Sequence, residues 1–281
     1  MGGGSAFPPV ASHPPVRLAW RSYGAGPPVL LLHGLFGLCA QWHHIAVPLA
    51  RRYRVLAVDL RNHGASPHTA RMDYDLMSED LRELLDAHAI EQAALVGHSI
   101  GGKVAMAFAQ RHPQRTSRLA VVDIAPDTYP DRFMPLIHAA LRLDLSSVTR
   151  REDAHAQLAR YLPSQRLRAM LLQNLVRRSD GWAWRIHWHG IAASMPELLR
   201  FAVPARQRKS RVPALFIAGA SSCYLHEHHM PLIRTLFADA VLENIAGAGH
   251  WVHADQPAAL VRRLDDWLSL THCSVASPVL V

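Results

Sequence analysis

The chain has 281 residues, 49% of them hydrophobic, and a formal net charge of +8. This composition excludes global disorder, and no stretch reaches the roughly 18 consecutive apolar residues of a membrane-spanning helix. The basic residues are 28 arginines and two lysines, without a tract in which they alternate with aromatics, so nucleic-acid binding is not indicated.

The two ends of the chain carry no functional signal. Residues 1–15, MGGGSAFPPVASHPP, lack the charged start and apolar run of a signal peptide and predict a flexible leader. Residues 272–281 are interpreted as a tail. Cys39, Cys223 and Cys273 have no metal-ligand spacing, and their odd number favours a reducing compartment. We therefore expect a cytoplasmic protein without a membrane span.

The first half of the chain alternates short buried strands with helical periodicity, which is typical of a mostly parallel sheet flanked by helices. The predicted strands are VRLAW (16–20), PPVLLLHG (27–34), YRVLAVDL (53–60), AALVGHS (93–99) and LAVVDIAP (119–126). The predicted helices between them are LRELLDAHA (81–89) and GGKVAMAFAQRH (101–112).

This alternation stops between residues 126 and 211, where the chain becomes helical, arginine-rich and interrupted by prolines. It resumes with PALFIAG (213–219), MPLIRTLFA (230–238), AVLENIAG (240–247) and PAALVRRLDDWLSL (257–270). The sequence therefore predicts an α/β core over 16–125 and 212–271 with a helical insertion over 126–211. An insertion at this point would cover the carboxyl edge of the sheet as a lid and form much of the substrate pocket.

The motif GHSIGG (Gly97–Gly102) lies between a predicted strand and a predicted helix. It fits G-x-S-x-G, in which glycines allow a sharp turn that presents a serine above the sheet. We predict that Ser99 is a nucleophile, the alternative being an incidental serine in a glycine-containing loop.

A serine hydroxyl requires a general base, and 19 histidines compete for that role. GAGHW (Gly247–Trp251) follows the last predicted strand, which places His250 at the sheet edge where Ser99 emerges. We predict His250 as the base. The HEHH run (His226–His229) is interpreted as a solvated helix start rather than a metal site, and no metal is predicted.

The oxyanion of an acyl-transfer intermediate needs backbone N–H donors. The first predicted donor is the N–H of Ile100, the residue after the nucleophile. The second is the N–H of Leu35 in HGLFG (33–37), which directly follows a buried strand. His33 is interpreted as a structural residue of this loop.

Six segments, in this order, make a specific combination: LLLHGLFG, DLRNHGAS, LVGHSIGGKVAM, VVDIAP, GWAWRIHW and GAGHWVHADQP. The combination resembles the YbfF-like esterases of the α/β-hydrolase superfamily across nearly the whole chain. The resemblance implies hydrolysis of carboxylic esters and thioesters, with acyl-CoA among the substrates. It also implies that the catalytic acid follows the strand after the nucleophile helix, which corresponds to Asp123.

The position of the acid is the main question, because GASSCYL (219–225) has serines where many hydrolases of this fold carry an aspartate. An acid must lie at the carboxyl edge of a strand that adjoins the histidine loop. Glu227 is too far along the chain, Asp239 precedes a strand, and the loop after Asp59 is expected to shape the pocket. Asp123 is in the right place, with a turn or helix-cap aspartate as the alternative.

Three functions remain open for this chain. The first is a hydrolase of acyl esters or acyl-CoA with a Ser-His-Asp triad, the second an acyltransferase, and the third a ligand receptor that retains the fold without turnover. No phosphate-binding loop or dinucleotide motif occurs, so no cofactor is predicted. Residues 131–211 contain 15 basic and 6 acidic residues, which could either attract an anionic substrate or cover solvated helix faces.

Overall fold

The computed structural model describes residues 14–201 and 209–270. Most of the predicted leader, the whole predicted tail and Cys273 lie outside these ranges. Within them, no helix combines the length and the apolar character needed to cross a lipid bilayer.

The strands form one large sheet and one separate hairpin. They are β1 (Trp20–Tyr23), β2 (Pro28–Leu32), β3 (Arg54–Val58), β4 (Ala93–His98), β5 (Thr116–Val122), β6 (Leu175–Arg178), β7 (Gly181–Trp184), β8 (Ala214–Gly219) and β9 (Val241–Ile245). The seven-stranded sheet has the order β1-β3-β2-β4-β5-β8-β9, and β6 pairs with β7. In the large sheet β1 runs antiparallel to β3 and the other neighbouring pairs are parallel. This arrangement confirms the predicted α/β class.

Helices cover both faces of the large sheet. They are α1 (His43–Leu49), α2 (Tyr74–Ala87), α3 (Ile100–Arg111), α4 (Met134–Leu141), α5 (Arg151–Ala159), α6 (Gln165–Leu172), α7 (Trp188–Leu199), α8 (Met230–Leu236), α9 (Val252–Asp255) and α10 (Pro257–Ser269). The buried side chains of α1, α9 and α10 share a core with one face, and those of α2, α3 and α8 share a core with the other.

The central strands are buried on both faces because helices cover both. In β2, Leu30 and Leu32 belong to the core under α2 and α3, whereas Val29 and Leu31 belong to the core under α1 and α10. A strand that buries both faces reads as a continuous apolar run, which explains why the sequence predicts these strands well.

Parallel pairing brings the carboxyl ends of β4, β5 and β8 to one edge of the sheet. His98 at the end of β4 lies opposite Val122 of β5, and Val122 lies opposite Ile217 of β8. The residues that follow these strand ends therefore meet at the same edge, where the candidate site is found.

Several features differ from the sequence-based expectation, and one is α2, which begins at Tyr74 rather than at Leu81. β1 begins at Trp20 rather than at Val16, because the paired segment runs up to the turn at Gly24. α1 was not predicted, since its seven residues include Pro48 and show little periodicity. The segment between β5 and β8 was predicted to be helical, but it also contains the β6–β7 hairpin.

Lys103 of α3 binds the inserted segment near its start and at the end of α7. Its Nζ donates to the Asp127 carbonyl oxygen at 2.8 Å and to the Leu199 carbonyl oxygen at 3.1 Å. The ammonium also lies 4.9 Å from the centroid of the Tyr129 ring. Burial lowers the pKa of Lys103 to about 7. The start of the segment and the end of α7 thus both contact the helix that follows Ser99.

Candidate active site

Ser99 occupies a sharp turn between β4 and α3. Its backbone has φ 53° and ψ −123°, a strained conformation for a residue with a side chain. A Cβ added at Gly97 would lie 2.2 Å from the Gly101 carbonyl oxygen, and one added at Gly101 would lie 2.4 Å from the Leu32 carbonyl oxygen. Both glycines are therefore required by close backbone approach, which is the turn geometry that GHSIGG predicts.

His250 lies in the loop after β9 and contacts both Ser99 and Asp123. Its Nε2 is 3.2 Å from Ser99 Oγ, and its Nδ1 is 2.7 Å from Asp123 Oδ2. Because a carboxylate accepts, we assign the ring proton to Nδ1, which leaves Nε2 free to accept from the serine hydroxyl. The Tyr224 ring stacks on the imidazole with centroids 4.0 Å apart. The ring is thereby held in the orientation and tautomer that a general base needs.

Asp123 is fully buried and directly follows β5, with a positive φ of 56°. Its Oδ1 accepts the Gly219 N–H at 2.9 Å. Its Oδ2, the oxygen that faces His250, also accepts the hydroxyl of Ser222. Ser222 belongs to the GASSCYL loop after β8, so this loop contributes a hydrogen-bond donor to Asp123 rather than a carboxylate to His250.

Among the described residues, none of the other carboxylates considered in the sequence forms a hydrogen bond with His250. Glu227 and Asp239 are exposed. Asp59 accepts the Cys39 N–H at 2.6 Å through Oδ1 and the Ala65 N–H at 3.0 Å through Oδ2. Asp59 therefore joins the loops after β2 and β3.

Two backbone donors lie beside Ser99. Ile100 is the first residue of α3, so its N–H has no acceptor within the helix. A Cβ added at Gly34 would be 3.2 Å from Ser99 Cβ, so the loop that carries Leu35 runs against the serine. In residues 14–201 and 209–270, neither the Leu35 N–H nor the Ile100 N–H forms a hydrogen bond. Both remain available to an oxygen at Ser99.

His33 anchors the loop that carries Leu35. Its Nδ1 donates to the Gly34 carbonyl oxygen at 2.8 Å, and its Nε2 accepts the Leu60 N–H at 3.0 Å. Complete burial lowers the pKa of His33, which keeps the ring neutral and Nε2 able to accept.

Two histidines that the sequence analysis did not single out lie behind His250. His98 Nε2 donates to the His250 carbonyl oxygen at 2.8 Å, and the His98 and His253 ring centroids are 4.7 Å apart. Burial, with a smaller contribution from neighbouring imidazoles, lowers the pKa of His98 well below its ordinary value and that of His253 to about 4. The position of His98 inside GHSIGG was a usable signal, whereas nothing local marks His253 or Ser222.

An aromatic layer lies between the inserted segment and the loop after β2. The Phe36 ring is 5.2 Å from the Trp188 ring and 6.0 Å from the Phe133 ring, centroid to centroid. Trp184 packs edge-on against Trp188 at 5.3 Å. The inserted segment thus presents aromatic side chains to a loop that adjoins Ser99.

Several arginines of the inserted segment have internal partners. Arg151 donates to the Leu175 carbonyl oxygen at 2.8 Å, Arg168 to the Leu162 carbonyl oxygen at 2.6 Å, and Arg177 to the Thr149 carbonyl oxygen at 2.9 Å. Arg166 pairs with Asp255 at 2.6 Å and lies over the Trp251 ring. The guanidinium groups of Arg151, Arg168 and Arg177 thus serve a structural role, because they donate to carbonyl oxygens at or near the ends of short helices and strands.

The histidines at 226–229 form a short 3₁₀ turn before α8. His229 is buried, and its Nδ1 accepts the His226 N–H at 3.0 Å. Over the described ranges, no group of three His, Cys, Asp or Glu side chains is arranged to hold a metal ion.

Comparisons with known proteins identify the family of the chain. A profile of the family described as the alpha/beta hydrolase fold matches residues 27–257. The sn-1-specific diacylglycerol lipase ABHD11 of Xenopus tropicalis is 40% identical over 82% of this chain and 74% of its own length. Esterase YbfF of Escherichia coli (strain K12) is 35% identical over 86% of this chain and 93% of its own. The solved structure of a marine microorganism esterase is similar with a TM-score of 0.86 and 36% identity, over 89% of this chain and 99% of that one.

Proposed function

The chain belongs to the α/β-hydrolase family, and from this premise we propose that it is a serine hydrolase that cleaves carboxylic esters. The observation that carries the proposal is the continuous hydrogen-bonded series from Ser99 through His250 to Asp123. Relatives named as an esterase and a diacylglycerol lipase support an ester as the substrate class.

In the proposed acylation step, Ser99 Oγ attacks the ester carbonyl carbon while His250 Nε2 takes the hydroxyl proton. The resulting imidazolium keeps its Nδ1–H on Asp123, whose negative charge stabilises it. His250 then returns the proton to the leaving alkoxide, which departs as an alcohol. Deacylation repeats the sequence with water as the nucleophile, and it releases the carboxylic acid and restores Ser99.

The N–H groups of Leu35 and Ile100 are the proposed oxyanion donors. Neither N–H has a hydrogen-bond partner among the described residues, which supports this role. Both can therefore donate to the negative charge that develops on the carbonyl oxygen during attack. The positive end of α3 points at the same place and adds to the stabilisation.

We further propose that residues 126–211 form the lid and the wall of the acyl pocket. Support comes from the aromatic layer of Phe133 and Trp188 against Phe36, and from the two hydrogen bonds that join this segment to Lys103. Thioesters react by the same steps, since a thiolate leaves more readily than an alkoxide. Acyl-CoA is a secondary candidate, because the relatives compared above are named as an esterase and a diacylglycerol lipase.

Labelling with a serine-directed fluorophosphonate tests the nucleophile. Wild type should be labelled and should hydrolyse p-nitrophenyl esters, whereas Ser99→Ala should lose both properties and keep its circular dichroism spectrum. Persistent labelling of Ser99→Ala would place the nucleophile elsewhere in the chain.

Product analysis separates the two alternative functions. A receptor without turnover would be labelled but would release no p-nitrophenol beyond one equivalent. An acyltransferase would convert an added alcohol into a new ester in preference to free acid. We expect free acid as the main product.

A further inference from the structure

The loop that carries Leu35 makes a tight turn held in an unusual backbone conformation. The Gly37 N–H donates to the Gly34 carbonyl oxygen at 2.9 Å, which closes a four-residue turn. Its third residue, Phe36, has a φ of 62°, a left-handed value that glycine ordinarily supplies at this position. Phenylalanine adopts it at an energetic cost, so contacts from outside the turn must maintain it.

His63 holds the N–H of Phe36. Its Nε2 accepts this N–H at 3.2 Å, while its Nδ1 donates to the Arg61 carbonyl oxygen at 2.9 Å. Burial lowers the pKa of His63 to about 3, which keeps the ring neutral and Nε2 able to accept. The peptide unit before Phe36 is therefore fixed by the core.

Two side-chain amides of the inserted segment hold the carbonyl of Phe36. Asn174 Nδ2 donates to it at 2.8 Å and Gln173 Nε2 at 3.0 Å, so both lone pairs of this oxygen are used. Gln41 Nε2 in turn donates to Gln173 Oε1 at 2.9 Å and orients that amide. The peptide unit after Phe36 is therefore fixed by the segment that covers the site.

Burial of the Asn174 side chain is energetically unfavourable if the residue serves only for packing. The side chain is completely buried, and its Oδ1 has no hydrogen-bond partner among the described residues. An apolar side chain of the same size would avoid an unsatisfied polar atom. What the amide supplies, and an apolar side chain would not, is the donor to Phe36.

We propose that Asn174 and Gln173 are positioning residues that hold the Leu35–Phe36 turn in the geometry needed for oxyanion binding. Neither amide contacts the reacting atoms, and both act through the Phe36 carbonyl. The inference rests on the proposed function, because it assigns to that reaction a dependence on residues outside the Ser99–His250–Asp123 series.

The test compares Asn174→Leu and Gln173→Ala with a control, Ser194→Ala. Ser194 is buried in α7 and accepts the Met72 N–H at 2.9 Å, so its loss removes a contact between the inserted segment and the core away from Leu35. For each variant, kcat and KM are measured with a p-nitrophenyl ester, together with the rate of Ser99 phosphonylation and the affinity for a trifluoromethyl ketone.

The expected pattern is a loss specific to tetrahedral species. Removal of an oxyanion donor costs about 100- to 1,000-fold in kcat, so an indirect loss should cost about 10- to 100-fold. Asn174→Leu should show this fall in kcat, in phosphonylation rate and in ketone affinity, with KM unchanged, and Ser194→Ala should not. Equal effects in Asn174→Leu and Ser194→Ala, no effect in Asn174→Leu, or a change confined to KM would overturn the proposal.

Gln173→Ala keeps the test decisive if Asn174→Leu does not fold, because Gln173 is only half buried. It should lower kcat and the phosphonylation rate about 3-fold or more, since one of two donors to the carbonyl is lost. Unchanged values would overturn the proposal in the same way. Failure of the proposed function is visible separately, as wild type that neither hydrolyses esters nor labels at Ser99, and the inference would then fall with it.

Discussion

Replacement of Asp123 by asparagine probes the acid with minimal change of shape. Asp123 makes three polar contacts at the site, with the Gly219 N–H on Oδ1 and with the Ser222 hydroxyl and His250 Nδ1 on Oδ2. Asparagine has one oxygen and one NH₂ group for the same two positions. The outcome therefore depends on which way the amide turns.

The Gly219 N–H decides the orientation. If the amide NH₂ faced Gly219, two donors would meet in a buried place, which costs about 1 to 3 kcal/mol. If the amide oxygen faces Gly219 instead, the NH₂ group faces Ser222, whose hydroxyl can rotate to accept. The NH₂ group then also donates to His250 Nδ1 and moves the ring proton to Nε2. In that tautomer His250 cannot accept the Ser99 proton.

We therefore expect Asp123→Asn to lower kcat by about 10³ to 10⁴, because both the tautomer and the stabilisation of the imidazolium are lost. Steady-state hydrolysis of a p-nitrophenyl ester measures the fall, and a chemical denaturation curve checks the fold. The exposed carboxylates provide controls, since Glu227→Gln and Asp239→Asn should be silent. Activity of Asp123→Asn within tenfold of wild type would refute both the orientation argument and the assignment of the acid.

Three further predictions concern Ser222, the buried histidines and the basic segment. Ser222→Ala should reduce the free energy of unfolding by about 1.5 to 3 kcal/mol, since a hydrogen bond to a charged group is lost. It should lower kcat far less than Asp123→Asn does. A kcat loss as large as that of Asp123→Asn would contradict the view that Ser222 only supports Asp123. The free energy of unfolding should decrease as pH falls from about 6.5 towards 5. Burial lowers the pKa of His63 to about 3 and that of His253 to about 4. In this pH range the unfolded chain therefore binds protons at these histidines and the folded chain does not. Urea midpoints that do not change between pH 7 and 5 would contradict this, and His253→Phe should weaken the dependence. We expect added salt to change kcat/KM for an acyl-CoA and for a neutral p-nitrophenyl ester equally if the arginines only cover solvated helix faces. A selective fall for acyl-CoA would instead indicate electrostatic steering, because salt screens exposed charges.

The sequence predicts the large sheet well because each of its central strands is a local apolar run. β2, β4, β5 and β8 are buried on both faces, so their character is visible without knowledge of their neighbours. Elements whose stability comes from tertiary contacts are not visible in the same way. The β6–β7 hairpin is half exposed and bears arginines, and short α1 contains a proline, so neither shows a clear period.

The candidate site shows the same difference between residues marked by local sequence and residues that act through long-range contacts. The prediction of Ser99 rests on the glycines that its turn requires and that lie beside it in the chain, and the prediction of His250 rests on a glycine loop that follows a strand. Ser222 acts on Asp123 from 99 residues away, and Asn174 acts on Phe36 from 138 residues away. No local pattern encodes such contacts, since a serine or an asparagine in a loop has many ordinary uses.

The position of the carboxylate that contacts His250 depends on strand pairing in the sheet rather than on the loops. β5 and β8 are adjacent and parallel, so the residues after Val122 and those after Ile217 emerge about 5 Å apart. A carboxylate after either strand can therefore reach the same imidazole. In this chain the carboxylate follows β5. The loop after β8 instead carries Ser222, whose hydroxyl donates to Asp123 Oδ2.

Both Ser99 and Asp123 leave their strands with positive φ, at 53° and 56°. Each strained residue is tied to the next strand by its own N–H, Ser99 to the Val122 carbonyl oxygen at 2.9 Å and Asp123 to the Ile217 carbonyl oxygen at 2.8 Å. The hydrogen bonds that continue the β4-β5-β8 ladder thus hold the two turns and offset their strain. The turn at Ser99 requires glycine neighbours because α3 begins there and packs closely. The turn at Asp123 leads into a loop rather than a helix, and its neighbours, Val122 and Ile124, are not glycines. Only the turn at Ser99 is therefore recognisable in the sequence.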